Sequence, residues 1–167
     1  MLQAMPDSPG AVPAPLLQSE QVFASVQIEA EIPRVLHALA VPEFMEAWMQ
    51  LPDSDRIECY PDGATFDRFR IDMFRAGELR GKVSGSCLLS KPNRVTYLWE
   101  MTHPKVRSRS MAEIRLWRQQ GRCLLKVCHS GLATEGERDW HERMWRGSLS
   151  RLCGLMEGSA PIRTNPC

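Results

Sequence analysis

The chain has 167 residues, 43% of them hydrophobic and 25% charged, with a formal net charge of +1. That length suits one domain with tails, and the balanced charge gives no electrostatic reason for a nucleic acid or an anionic membrane as partner. No apolar run approaches the roughly 20 residues of a membrane span, and the N-terminus lacks the basic-then-apolar pattern of a secretory signal, so a cytoplasmic location is expected.

Residues 1–20 hold Pro6, Pro9, Pro13 and Pro15, a density that suits neither helix nor central strand and predicts a flexible tail. Residues 22–30 alternate Val22, Ala24, Val26 and Ile28 with Phe23, Ser25, Gln27 and Glu29, the period of a half-buried strand. Two short helices are expected next. Residues 32–40 carry Pro33 in the first turn and Val35, Leu36 and Leu39 on the apolar side; Pro42 opens the second, with Phe44, Met45, Trp48 and Met49 at helical spacing before Pro52 and Asp53.

Strand and turn patterns follow at 56–60, 65–74, 79–90, 95–101, 110–118 and 122–130. Gly81 and Gly85 predict a bulge or bend in the third of these. Residues 102–109, THPKVRSR, are expected to form a basic loop. Residues 137–156 place Trp145, Leu149, Leu152 and Met156 in steps of four, three and four, with Met144 and Leu155 widening the stripe and His141 extending it by a turn. That is an amphipathic helix of roughly 30 Å. It needs a surface on which to bury its stripe, and the strands supply it. Residues 158–167 form a polar tail.

The expected fold is α+β: a bent antiparallel sheet of about seven strands wrapped around a long C-terminal helix, with two short helices after the first strand, over residues 21–157. Cys59, Cys87, Cys123, Cys128, Cys153 and Cys167 include no C-x-x-C pair, so reduced core thiols are expected rather than a disulfide or metal site. His37, His103, His129 and His141 also lack metal-ligand spacing, and no cofactor is expected.

Several stretches resemble a known family. IPRVLHALAVPEFMEAWM, with Pro42, Glu43 and Trp48, resembles the first helix pair of the START-like, or Bet v 1-like, helix-grip superfamily (SRPBCC). Within it the resemblance is to the group related to the C-terminal domain of the activator of Hsp90 ATPase. KPNRVTYLW, with Pro92, Arg94 and Trp99, resembles its turn and strand. LLKVCHSGL, with His129 and Gly131, and the later Trp145, Leu149 and Leu152 resemble its last strand and helix. The family's Gly-Gly entering the third strand is Gly63-Ala64 here, and no counterpart of the co-chaperone's N-terminal domain is expected.

The resemblance implies a space between sheet and helix. A small apolar or amphipathic ligand would be lined there by Phe69, Ile71, Tyr97, Trp99, Ile114, Leu125, Val127, His129, His141, Met144, Trp145 and Leu149. The plainer alternative is that these residues simply form the core. A second function class implied by the superfamily is a polyketide cyclase or aromatase, with His129 and His141 as acid or base and Tyr97 as hydroxyl donor; no Ser-His-Asp or paired-carboxylate pattern supports catalysis. A third is an Hsp90-type chaperone partner met through the basic segment 105–109. Trp99 and Trp145 are expected to face each other across the space. His129 and His141 are expected together near its mouth, with at least one pKa lowered by the other.

Overall fold

In the computed structural model, residues 20–62, 67–89, 92–104 and 106–158 are described. Their elements run β1 (Gln21–Ile28), α1 (Ile32–Ala40), α2 (Pro42–Trp48), β2 (Arg56–Pro61), β3 (Arg68–Arg75), β4 (Glu78–Leu89), β5 (Arg94–His103), β6 (Val106–Gln119), β7 (Arg122–Ser130) and α3 (Glu135–Met156). The seven strands form one antiparallel sheet in the order β1-β7-β6-β5-β4-β3-β2. This is the expected α+β helix-grip fold, with the first strand closing beside the last. Among the described residues no helix is long and apolar enough to cross a membrane. The expected tails lie outside the described residues except for Glu20 and Gly158, as do Gly63, Ala64 and Lys105.

Period-two alternation decides which strand residues face α3. Val95, Tyr97, Trp99, Met101 and His103 are buried along β5, and Val106, Ser108, Ser110, Ala112, Ile114 and Leu116 along β6. The basic loop expected at 102–109 is therefore corrected: β5 runs through His103 and β6 starts at Val106. Arg107 and Arg109 are the outward half of an alternating strand whose inward half is Val106, Ser108 and Ser110.

One N–H donor ties α2 to α1, and one O–H donor ties α1 to the sheet. The last carbonyls of a helix lack intrahelical partners. Here the Trp48 indole donates to the Ala38 carbonyl at 2.9 Å and the Tyr97 hydroxyl to the Leu39 carbonyl. The second helix stops at Trp48, before Pro52, and Met49 caps it through its N–H to Met45 O at 2.7 Å.

The long helix begins two residues before the expected start because Thr134 caps it. The Glu137 N–H donates to Thr134 Oγ1 at 3.1 Å, and the Thr134 N–H to Glu137 Oε2 at 3.0 Å. The buried stripe of α3 is Trp140, His141, Met144, Trp145, Ser148, Leu149, Leu152 and Met156, unbroken to its end. It packs on β1, β6 and α2. Ser148 Oγ accepts the Gln50 N–H at 2.9 Å, tying the segment after α2 to the helix.

The two β4 glycines have different jobs. At Gly81 the β3–β4 register shifts: Met73 pairs with Gly81 and Phe74 with Leu79, leaving Arg80 as the bulged residue. Gly85 stays in register between Phe69 and Trp99. A Cβ there would lie 2.8 Å from Phe69 Cζ and nearer still to the Leu98 carbonyl oxygen, so the Phe69 ring occupies the room the glycine leaves. Gly85→Ala is expected to destabilise by about 1–3 kcal/mol, or more if the β4–β5 ladder moves; urea denaturation checks this.

Candidate functional site

The side chains between α3 and the sheet form a run of adjoining aromatic and imidazole rings. Phe69 meets Tyr97 and Trp99 at 6.0 and 6.1 Å between centroids. Trp99 meets His129 at 6.1 Å, His129 meets His141 at 4.5 Å and Trp145 at 6.0 Å, and His141 meets Trp140 at 5.1 Å. All twelve residues expected to line the space are buried, none more than 3% exposed. Leu149 and Val127 also border surface hollows beside β1. Trp99 and Trp145 meet through the His129 ring, against which both pack. The two histidines do adjoin as expected, but each is 0% exposed, so the expected position at a mouth is replaced by full burial beneath α3.

Hydrogen-bond chemistry assigns the tautomers. An indole N–H can only donate, and Trp145 Nε1 lies 2.9 Å from His129 Nδ1. His129 Nδ1 is therefore the bare, accepting nitrogen, and its Nε2–H donates to Ser110 Oγ at 2.8 Å. A carbonyl can only accept, and Glu137 O lies 2.7 Å from His141 Nδ1. His141 thus carries its proton on Nδ1 and presents a bare Nε2. Burial, reinforced by the neighbouring imidazole, holds the His129 pKa well below its ordinary value. Burial also lowers His141, opposed in part by its bond to the Glu137 carbonyl and by the Glu137 charge. Both rings are neutral at pH 7.

This arrangement limits what the residues can do. Ser110 and His129 stand at nucleophile–base distance, but the His129 lone pair is held by Trp145, so His129 cannot take the serine proton. The Tyr97 proton is committed to Leu39 O. Tyr97 ionisation is suppressed by burial, then by the nearby Cys87 and Cys59 thiols. Those two thiols are themselves pushed up to about 12, chiefly by burial. Of the two imidazoles, only His141 has an uncommitted lone pair. Among the described residues no group of three or more His, Cys, Asp and Glu is placed to hold a metal ion.

Four buried polar atoms in and beside this run have no hydrogen-bond partner: Trp99 Nε1, Ser108 Oγ, Trp140 Nε1 and His141 Nε2. Ser108 pairs with Met101 and lies two residues before Ser110 on the same inward face. Trp140 and both serines escaped the sequence reading. Trp140 starts a clean four-residue ladder with Met144, Ser148, Leu152 and Met156, hidden because its neighbours, Arg138, Asp139, Glu142 and Arg143, are charged. The serines sit at inward parity with Ala112, Ile114 and Leu116, which was the available signal.

The sequence of residues 29–157 matches the family described as Activator of Hsp90 ATPase homolog 1-like protein. The chain belongs to this family. Solved structures repeat its fold at low identity. NE0264 from Nitrosomonas europaea is 21% identical with a TM-score of 0.65, over 87% of this chain and 99% of that one. The Aha1 dimer from Colwellia psychrerythraea is 14% identical with a TM-score of 0.60, over 84% of this chain and 98% of that one. DynU16, of the dynemicin biosynthetic locus, is 16% identical with a TM-score of 0.64, over 86% of this chain but 49% of that longer one. No functionally curated protein matches. At these identities the structural neighbours share the fold of the family, and the chemistry of this member rests on its own residues.

Proposed function

We propose that the protein binds a small apolar or amphipathic molecule between the sheet and α3, with the ligand's polar group along the ring run at Trp99, Ser108, Trp140 and His141. The four unpartnered polar atoms carry this reading. A buried polar group without a partner costs about 1–3 kcal/mol, and folded proteins rarely leave one orphaned. Four such atoms along one run of adjoining rings suit a ligand that brings polar atoms of its own. The walls are closed, so entry requires movement of α3 or of the side chains beneath it. That a protein of this fold, DynU16, belongs to a biosynthetic locus is in keeping with a small-molecule role. The chaperone partner suggested by the family's description would be met through Arg107 and Arg109, which point outward, Arg109 beside Glu100 at 3.5 Å.

Naphthalene and 2-naphthol are small enough to test this by titration, followed through the indole N–H resonances. Shifts are expected at Trp99, Trp140 and Trp145. Trp117, on the opposite sheet face with Lys126 over its ring at 5.3 Å, should stay unmoved. Shifts confined to Trp117, or none, would overturn the proposal.

A further inference from the structure

Resting on that binding site, we infer that the polar group it takes is an uncharged hydroxyl, whose proton is accepted by His141 Nε2 and whose oxygen is met by an indole N–H. Four observations lead there. The His141 Nδ1–H is spent on Glu137 O, so Nε2 offers a lone pair and nothing else. Trp140 and Trp99 lie on either side of the imidazole pair, and each carries an unpartnered N–H that can only donate. Ser108 Oγ, also unpartnered, can do either. A group that both donates and accepts is what these atoms have in common.

Charge narrows the class further. The histidine pair is neutral, His129 chiefly through burial and then the neighbouring imidazole, and the Trp145 N–H is aimed at its only bare nitrogen. Arg138, close in sequence, is turned to the carbonyls of Leu132 and Ala133 at 3.0 and 3.3 Å. A carboxylate would therefore be desolvated beside two neutral imidazoles and near Glu137, and its oxygens could give His141 no proton. An ammonium could donate to His141 Nε2 and Ser108 Oγ, but it would leave both indole N–H groups without an acceptor and would bury an unpaired charge. Burying either charge unpaired is far more costly than burying a hydroxyl that gains both its hydrogen bonds. A ketone or ether would satisfy an indole but leave His141 Nε2 bare.

The test compares probes of one ring system on the intact protein: naphthalene, 2-naphthol and 2-naphthoate, with affinities from indole N–H shifts. 2-Naphthol is expected to bind at least tenfold more tightly than naphthalene, and 2-naphthoate more weakly than either. With 2-naphthol alone, the His141 Nε2 nitrogen resonance should move away from the bare-nitrogen range; this reading uses the unaltered chain and does not depend on a variant folding. In His141→Phe the tenfold preference of 2-naphthol over naphthalene should vanish. Equal binding of all three probes, a preference for 2-naphthoate, or an unmoved Nε2 resonance would overturn the hydroxyl assignment while leaving the binding site standing. Failure of every probe to bind would mean that solvent alone serves these polar atoms and would overturn both.

Discussion

Trp145→Ala is expected to destabilise the protein by about 3–5 kcal/mol, the range for truncating a closely packed aromatic. The ring has 0% exposure at the centre of the α3 stripe, and its indole is the donor that fixes His129. Were the ring beside an unfilled space, fewer contacts would be lost and the change would be clearly smaller. Trp145→Phe separates the two contributions. It keeps most of the apolar contact but strands His129 Nδ1, so about 1–3 kcal/mol should remain. In this variant the N–H that opposed a proton on Nδ1 is gone, so the His129 pKa should rise somewhat, while burial and His141 still hold it below its ordinary value. Urea denaturation at pH 7.5 measures both energies; a loss under about 1.5 kcal/mol for Trp145→Ala would show that the ring is not closely packed.

Acid should weaken the fold well before the carboxylates titrate. His129 and His141 both have folded-state pKa values below 6.5, chiefly through burial. At pH values below 6.5 the unfolded chain takes up protons that the folded chain refuses, so stability rises with pH there and falls as pH drops. Above 6.5 both states hold neutral imidazoles and this contribution is constant. The slope is about 1.4 kcal/mol per pH unit for each histidine that stays neutral, and the pair should remove on the order of 2–4 kcal/mol between pH 6.5 and pH 5. The thiols pushed upward stay neutral throughout this window and add nothing. Urea midpoints measured from pH 7.5 to pH 5 check the slope; a flat profile would mean that the imidazoles protonate in place.

The architecture was legible because it depends on periodicity. Strands at alternate residues, a helix stripe at 145, 149, 152 and 156, and Pro33 and Pro42 at helix starts are local signals that tertiary packing did not override. The errors fell where local signals compete. At 102–109 the lysine and arginines hid an alternating strand, because inward Ser108 and Ser110 do not register as hydrophobic. At Arg138–Arg143, four charged residues surround two buried rings, and Trp140 was missed for that reason. The candidate site was half legible. His129 and His141 could be brought together by parity and stripe, since only a short segment separates β7 from α3. Their tautomers could not, because these depend on which atoms of Trp145, Ser110 and Glu137 the folded chain places opposite each ring nitrogen.

The proposed site depends on the protonation of those two rings, which long-range ¹H–¹⁵N NMR of the histidines in the ligand-free protein reads directly. His129 is expected as the Nε2–H tautomer and His141 as the Nδ1–H tautomer, both neutral at pH 7, with His141 Nε2 in the bare-nitrogen range. Either ring found as an imidazolium at pH 7, or His141 found with its proton on Nε2, would contradict it.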